Sequence, residues 1–315
     1  MVSIIMPVRN GQPYLEACLD SILPQTYENW ELVVVNDNST DDTCEVLSKY
    51  ASTDDRIRLL NNNGNGILDA LHLGYQNSSG EFITRMDADD RMSMNKLELM
   101  VNALSNGELS IGLVEYFSEN EVGNGYRKYA EWLNELTNSQ NNFADIYKEC
   151  SIPSACWMTR RKDFERCGGF GNRYPEDYDL AFRFYRSKLK LSPVDSVLHY
   201  WRDHDARASR NDPNYADNRF LAIKLDYFLE IDKADSALVL VGAGKKGKEL
   251  ASMLLEKNVP FKWATNNSKK IGVNIYDQIL ISDQGIQDED QLIIAVAGQE
   301  GQELRSKFSK GFFFC

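Results

Sequence analysis

Residues 81–90 read Glu81-Phe82-Ile83-Thr84-Arg85-Met86-Asp87-Ala88-Asp89-Asp90. Phe82, Ile83 and Met86 form a short apolar run of strand type, and three carboxylates in four positions follow it directly. Like charges crowded at a strand end repel one another unless a cation sits among them. Oxygen ligands suit Mg2+ or Mn2+, ions that also hold phosphate oxygens. An isolated Asp-x-Asp equally describes a solvated acidic turn that caps the next helix. Its neighbours decide between the two readings.

Upstream, three strand–helix units lead into this stretch. A strand at 2–6 stops at Pro7, and an amphipathic helix carrying Leu15, Cys18, Leu19 and Ile22 follows. The continuous apolar run Glu31 to Val35 is of the kind buried in parallel sheets. It ends in Asn36-Asp37-Asn38-Ser39-Thr40-Asp41-Asp42-Thr43, where Ser39 and Asp42 have the spacing of a helix-start box. A third strand, 57–60, enters Asn61-Asn62-Asn63-Gly64-Asn65-Gly66 and a helix at 67–77. Four strand–helix alternations imply a doubly wound α/β sheet, whose ligands sit beyond the carboxyl ends of the strands. Those ends are all polar here, and together they line one crevice.

Downstream, the pattern predicts a helix at 94–105, a strand at 109–117 and a polar stretch to about 145. Pro175-Glu176-Asp177-Tyr178-Asp179-Leu180 opens a helix to about 188, and a strand at 194–200 ends in His199-Tyr200-Trp201-Arg202-Asp203-His204. The polar run 205–218 reads as a loop and 219–230 as a helix. A boundary near Asp232–Asp235 separates a first domain, 1–232 (donor half about 1–110, acceptor half about 111–232), from a second at 235–315.

Composition narrows the function. A net charge of -12 argues against nucleic-acid binding, which needs basic stripes. An anionic ligand therefore depends on local Arg, Lys, helix N-termini or a metal. The basic bunches Arg160-Arg161-Lys162, Arg183 to Lys190, and Arg202, Arg207 and Arg210 are either solvated helix faces or contacts for phosphate or an anionic membrane. No apolar run approaches the ~20 residues of a bilayer span. No export signal is read at the start, and the six cysteines lack Cys-x-x-Cys spacing, which suggests reduced thiols in a cytosolic protein.

In order, Val2-Ser3-Ile4-Ile5-Met6-Pro7-Val8-Arg9-Asn10, Val34 to Thr43 and Gly80 to Asp90 resemble the three donor-site motifs of family 2 glycosyltransferases of the GT-A fold. Gly168-Gly169-Phe170, Glu176-Asp177-Tyr178-Asp179-Leu180 and Tyr200-x-Arg202-x-His204 resemble the same family's acceptor-side and closing motifs. The resemblance covers roughly 1–210. It implies an inverting transferase that uses Mn2+ or Mg2+, a nucleotide-sugar donor (UDP-sugar) and a glycan or lipid-linked glycan acceptor. It implies a place in surface polysaccharide assembly, peripheral on the inner face of the cytoplasmic membrane. It sets no oligomeric state.

By this resemblance Asp37 reads the uracil edge, although Asp37 also has the position of a helix cap. Pro7, Val8 and Asn10 border the nucleoside, Asn65 approaches the base, and Ala88 and Arg202 complete the donor contacts. Arg9 stands where the family usually has an aromatic. Asp89 binds the ion directly, Asp87 holds ribose or a metal-bound water, and His204 completes the metal shell or is structural. Arg85 pairs either with these carboxylates or with phosphate, and Asp90 caps a helix. Asp177 is the base that removes the acceptor proton, with Glu176 as fallback. Carboxylates in a first helical turn are held ionised by the helix dipole, as a base requires. Trp157 and Trp201 are either core or sugar platforms.

In the second domain, Gly242-x-Gly244-x-x-Gly247 follows a strand and opens a helix, the setting in which dinucleotide pyrophosphates bind. The next strand, however, ends Trp263-Ala264-Thr265-Asn266-Asn267, without an acid for a ribose. The region resembles small Rossmann-like modules attached to sugar-processing enzymes. A nicotinamide-dependent oxidoreductase and a non-catalytic sugar-nucleotide-binding assembly subunit are the alternatives.

Overall fold

The computed structural model describes residues 1–105, 107–211 and 220–315. Two compact units emerge: Met1–Phe143 with Ser151–Arg207, and Ala144–Cys150 with Ala208–Cys315.

In the first unit the chain runs β1 (Val2–Val8), α1 (Gln12–Ile22), β2 (Trp30–Asn36), α2 (Thr43–Ala51), β3 (Ile57–Asn61), α3 (Ile67–Gln76), β4 (Phe82–Arg85), β5 (Arg91–Met92) and α4 (Lys96–Ala103). It continues β6 (Leu109–Phe117), α5 (Asn124–Asn138), β7 (Trp157–Arg160), α6 (Arg161–Arg166), α7 (Glu176–Arg186) and β8 (Leu191–Arg202). The sheet order is β3-β2-β1-β4-β7-β6-β8-β5. The first four of these positions are parallel, while β7 lies antiparallel to both β4 and β6. This is the mixed, doubly wound GT-A arrangement.

Burial on both faces explains the apolar strands. Val2, Ile4, Met6 and Val8 share a core with Leu15, Cys18, Leu19 and Ile22 of α1. On the other face α3 packs so closely that a Cβ on Gly74 would stand 2.7 Å from a methyl of Ile5. Only glycine admits that approach.

The strand does not stop at Pro7. It runs on to Val8, pairing Pro7 with Val35 and Val8 with Asn36. The oxygen of Ile5 accepts from Met86 on the β4 side, whereas the oxygen of Val8 accepts from Asp37 on the β2 side. Alternation therefore turns Pro7 toward β4, whose pairing has already ended at Ile5. The missing donor is not needed there.

The helix-start box is also absent. Ser39 accepts from the Asn10 amide, and no side chain caps α2 at Asp42. Asp41 takes that work, accepting from the Thr43 and Gln12 amides. The polar stretch after 117 contains the fifteen-residue α5, which buries Ala130, Leu133 and Thr137. At the far edge β5 pairs with β8, opposing Arg91 to Tyr200 and Met92 to His199. That two-residue strand brings the end of the acidic stretch to the end of β8.

The second unit contains α8 (Ala208–Asn211), α9 (Phe220–Tyr227) with a π-helical turn to Asp232, β9 (Leu238–Val241), α10 (Lys245–Glu256), β10 (Lys262–Thr265) and the hairpin β11 (Asn274–Ile275) and β12 (Gln278–Ile279). It ends with β13 (Ile281–Ser282), β14 (Gln291–Ile294), α11 (Gly298–Lys307) and β15 (Phe312–Phe313). Its five-stranded sheet, β13-β10-β9-β14-β15, is parallel throughout, as in a small Rossmann-like module. Gly242 takes φ +110, the left-handed region that its turn requires. The loop expected at 205–218 includes the helical turn α8; its remainder from 212, and 219, lie outside the described residues. Among the described residues no helix is long and apolar enough to cross a membrane.

Candidate active site

The ends of β1, β2 and β3 are tied to one another by side chains, and helix α1 is tied to the end of β4. Thr40 donates its amide to Asn10 Oδ1 at 2.8 Å, so the loops after β1 and β2 interlock. Asn10 holds φ 52, a left-handed value that asparagine tolerates. Asp37, 4% exposed, receives Asn62 Nδ2 at 2.7 Å and the Gly66 amide at 3.1 Å, joining the ends of β2 and β3. Cys18 Sγ donates to the Asp87 oxygen at 3.4 Å, bringing α1 to the end of β4. Val8 and Ala88 are buried beside Gly11, Pro7 is half-buried, and Asn65 is exposed with its amide donated to Asp69.

Arg85 joins the two halves of the site. Its Nε donates to Asp87 Oδ1 and its Nη1 to Glu176 Oε1, each at 2.8 Å, with all three side chains largely buried. The pairing expected of Arg85 is therefore with carboxylates, one at the end of β4 and one in the first turn of α7. Burial pushes the Asp87 carboxyl up, Arg85 pulls it down and Asp89 pushes it up again; the outcome lies above the ordinary carboxylate value. Asp177 follows Glu176 and accepts from the Tyr178 amide at 2.7 Å. Burial and the Glu176 charge, against Arg85, raise its carboxyl to about 7, so the helix dipole does not keep it ionised as expected of a first-turn acid.

Asp89 and His204 meet at 3.0 Å through Oδ2 and Nε2. Burial raises the Asp89 carboxyl, but the His204 hydrogen bond and the Arg207 charge outweigh it and hold the group below its ordinary value. Among the described residues Nδ1 of His204 is buried without a hydrogen-bond partner, and its ring lies 4.5 Å from Tyr14. Arg202 donates Nε to the Asp89 oxygen at 2.9 Å and lies over the rings of Tyr14 and Phe117. Asp90 is not a helix cap. It accepts from the Arg202 amide at 2.8 Å and from His199 at 2.9 Å, because β5 turns it inward against β8.

Residues 3–168, just over half of the chain, match the model of Glycosyl transferase family 2. The chain belongs to this family. Glycosyltransferase GlyA of Streptococcus pneumoniae serotype 4 is 37% identical over 189 residues, 60% of this chain. The chain spans only 26% of that relative's length. An uncharacterized glycosyltransferase of Haemophilus influenzae is 27% identical over 274 residues, covering 81% of this chain and 85% of its own. Among solved structures, S. aureus TarS 1–349 in complex with UDP-GlcNAc superposes with a TM-score of 0.57 at 16% identity, covering 87% of this chain and 76% of that one. The mannosyltransferase PcManGT from Pyrobaculum calidifontis, in complex with GDP-Man and Mn2+, gives 0.56 at 20% identity over 74% and 65%. These likenesses establish the fold.

Several residues around the candidate site were not legible as such in the sequence. Asn62 anchors Asp37, and Tyr14 flanks both His204 and Arg202. Arg207 lies over Tyr116, Tyr126 and Trp201 while its charge acts on Asp87, Asp89 and Asp90. Its place in the basic bunch after β8 was the available signal. The other bunches serve backbone or helix: Arg160 donates to Leu104 and Gly107 oxygens, Arg161 to Gly80, and Arg183 to Asp179. Trp157 and Trp201 are core, packed against Phe164 and Tyr129. A cavity of about 310 Å³ opens beside Asn62, Asp69, His72 and Asn172; none of the acidic-loop residues lines it.

Proposed function

We propose that the chain is an inverting, metal-dependent glycosyltransferase that moves a sugar from a UDP-sugar to a hydroxyl of a glycan or lipid-linked glycan. The observation that carries this reading is the Arg85 bridge from Asp87 to Glu176. It supports one pocket in which the donor-side acids and the first turn of α7 act on the same sugar. Asp177, raised to about 7, has the proton affinity of a base able to take the acceptor proton near neutrality. Attack from its side, opposite the departing nucleotide, inverts the sugar carbon.

Asp89 and His204 fit a hard cation. Their donor atoms lie 3.0 Å apart and would hold Mg2+ or Mn2+ beside the diphosphate, with the Arg207 charge acting on Asp89 from nearby. Among the described residues no group of three His, Cys, Asp or Glu is placed to hold a metal ion. When bound, the cation offsets the charge that grows on the leaving diphosphate. Asp87, held by Arg85, faces ribose or a cation-bound water. Pro7, Val8, Asn10, Asn65 and Ala88 border the nucleoside, and Arg202 braces the acidic loop beside the diphosphate. Acceptor and setting follow from the family resemblance: surface polysaccharide assembly at the inner face of the cytoplasmic membrane.

Among the described residues Asp37 Oδ2 accepts only the Gly66 amide, which supports a free lone pair for the N3–H of uracil. Thermal unfolding with UDP, GDP and their sugars, with and without Mn2+, tests the reading. UDP is expected to raise the melting temperature with Mn2+ present and to do little alone; stabilisation by GDP and not UDP would overturn the donor assignment. Asp37→Asn replaces an acceptor with a donor toward N3–H. It is expected to weaken UDP binding by roughly tenfold or more, as an unpaired buried polar group does. Titration calorimetry with UDP and Mn2+ measures that loss.

A further inference from the structure

Behind the acidic loop, Lys96, His199 and Asp90 form a chain of polar groups to which the proposed reaction assigns no step. Lys96 and His199 are both 0% exposed and Asp90 is 2% exposed. Lys96 Nζ donates to the Ala155 oxygen at 2.5 Å and to His199 Nδ1 at 3.1 Å. An ammonium only donates, so Nδ1 accepts and the ring proton sits on Nε2. Nε2 then donates to Asp90 Oδ2 at 2.9 Å. The other Asp90 oxygen accepts from the Arg202 amide at 2.8 Å, and Arg202 Nε donates back to the Asp89 oxygen at 2.9 Å. Apolar side chains of equal volume would fill this space without desolvating two charges. A polar chain adds direction, since every link has one donor and one acceptor.

We propose that Lys96 and His199 are positioning residues for the acidic loop, setting Asp90 and, through Arg202, the backbone of Asp89 in the place where Asp89 meets His204. The chain spans α4, β8 and the loop after β4, elements that share no local sequence signal. Its links determine both the position and the rotation of the loop. The inference rests on the reading of Asp89 and His204 as cation-binding residues.

The test measures Mn2+ affinity in the presence of UDP, without acceptor and without turnover, from the electron paramagnetic resonance signal of free Mn2+. His199→Gln keeps one acceptor and one donor, whereas His199→Leu keeps volume and loses both. His199→Leu is expected to lose about 10–100-fold in Mn2+ affinity, the range seen when a group that orients a metal ligand is removed. His199→Gln is expected to recover most of that loss. Thermal melts confirm that each variant is folded at the temperature used. Should His199→Leu not fold, Lys96→Met is measured in the same way, with the same loss expected. Wild-type affinity in the folded leucine or methionine variant would overturn the inference alone. A wild-type protein that binds no Mn2+ with UDP would overturn the cation-site reading and this inference together.

Discussion

Asp177→Asn is expected to lose about 10²–10⁴-fold in the rate of sugar transfer while binding UDP and Mn2+ as the wild type does. The substitution is nearly isosteric and keeps an oxygen for the Tyr178 amide, so the first turn of α7 retains its bond. What it removes is proton affinity. Burial and the Glu176 charge raise the Asp177 carboxyl to about 7, which makes wild-type transfer rise with pH and level off above neutrality. The same shift has a consequence for stability. A carboxyl at about 7 in the folded chain and near its ordinary value of 3.8 in the unfolded chain favours folding only while protonated. That contribution is complete below about pH 4 and is lost as pH rises to 7. Asp177→Asn does not titrate, so its melting temperature should match the wild type at low pH and exceed it above pH 7. Unchanged turnover would remove Asp177 as the base. A variant less stable than wild type at pH 8 would contradict the raised carboxyl.

The donor half of this fold was legible because its strands are buried on both faces. Ile4 to Met6 and Leu32 to Val35 have no polar interruptions, and their strands run on past them to Val8 and Asn36. The acids were legible for the opposite reason: no core tolerates Asp87, Asp89 and Asp90 together without a purpose. Helix α5 escaped because its apolar positions, Tyr126, Tyr129, Ala130, Leu133 and Thr137, lie among charged and amide residues that dilute the periodicity. The helical spacing is present once the register is known. Asp90 was misassigned because its partner lies 109 positions away, and no local pattern announces a bond to His199. Lys96 carries no signal of its own in the sequence, yet it is fully buried, with its ammonium on the Ala155 oxygen and His199. Pro7 illustrates the limit of a breaker rule, since a proline ends a strand only where its missing donor would have been used.

Arg85→Met is expected to destabilise the first unit by about 3–5 kcal/mol, the cost of leaving buried carboxylates without their cation. Two acids depend on this one guanidinium: Asp87 and Glu176, each at 2.8 Å, with the arginine side chain only 7% exposed. Burial works against the Arg85 charge, yet Asp87 and Glu176 hold it well above its ordinary value. Among the described residues Glu176 Oε2 has no hydrogen-bond partner. A methionine fills similar space but leaves both carboxylates buried without their cation, a cost that falls on their charged forms. The deficit is therefore small below about pH 4, where the unfolded carboxylates are also protonated, and grows as pH rises. At pH 8 it corresponds to a drop of roughly 6–20 °C in melting temperature, which calorimetry resolves. Adding Glu176→Gln removes one of the stranded charges, so the double variant should be less destabilised than the sum of the two single changes. Simple additivity would mean that Arg85 does not couple Asp87 to Glu176. The donor-side acids and the first turn of α7 would then be neighbours without being one electrostatic unit.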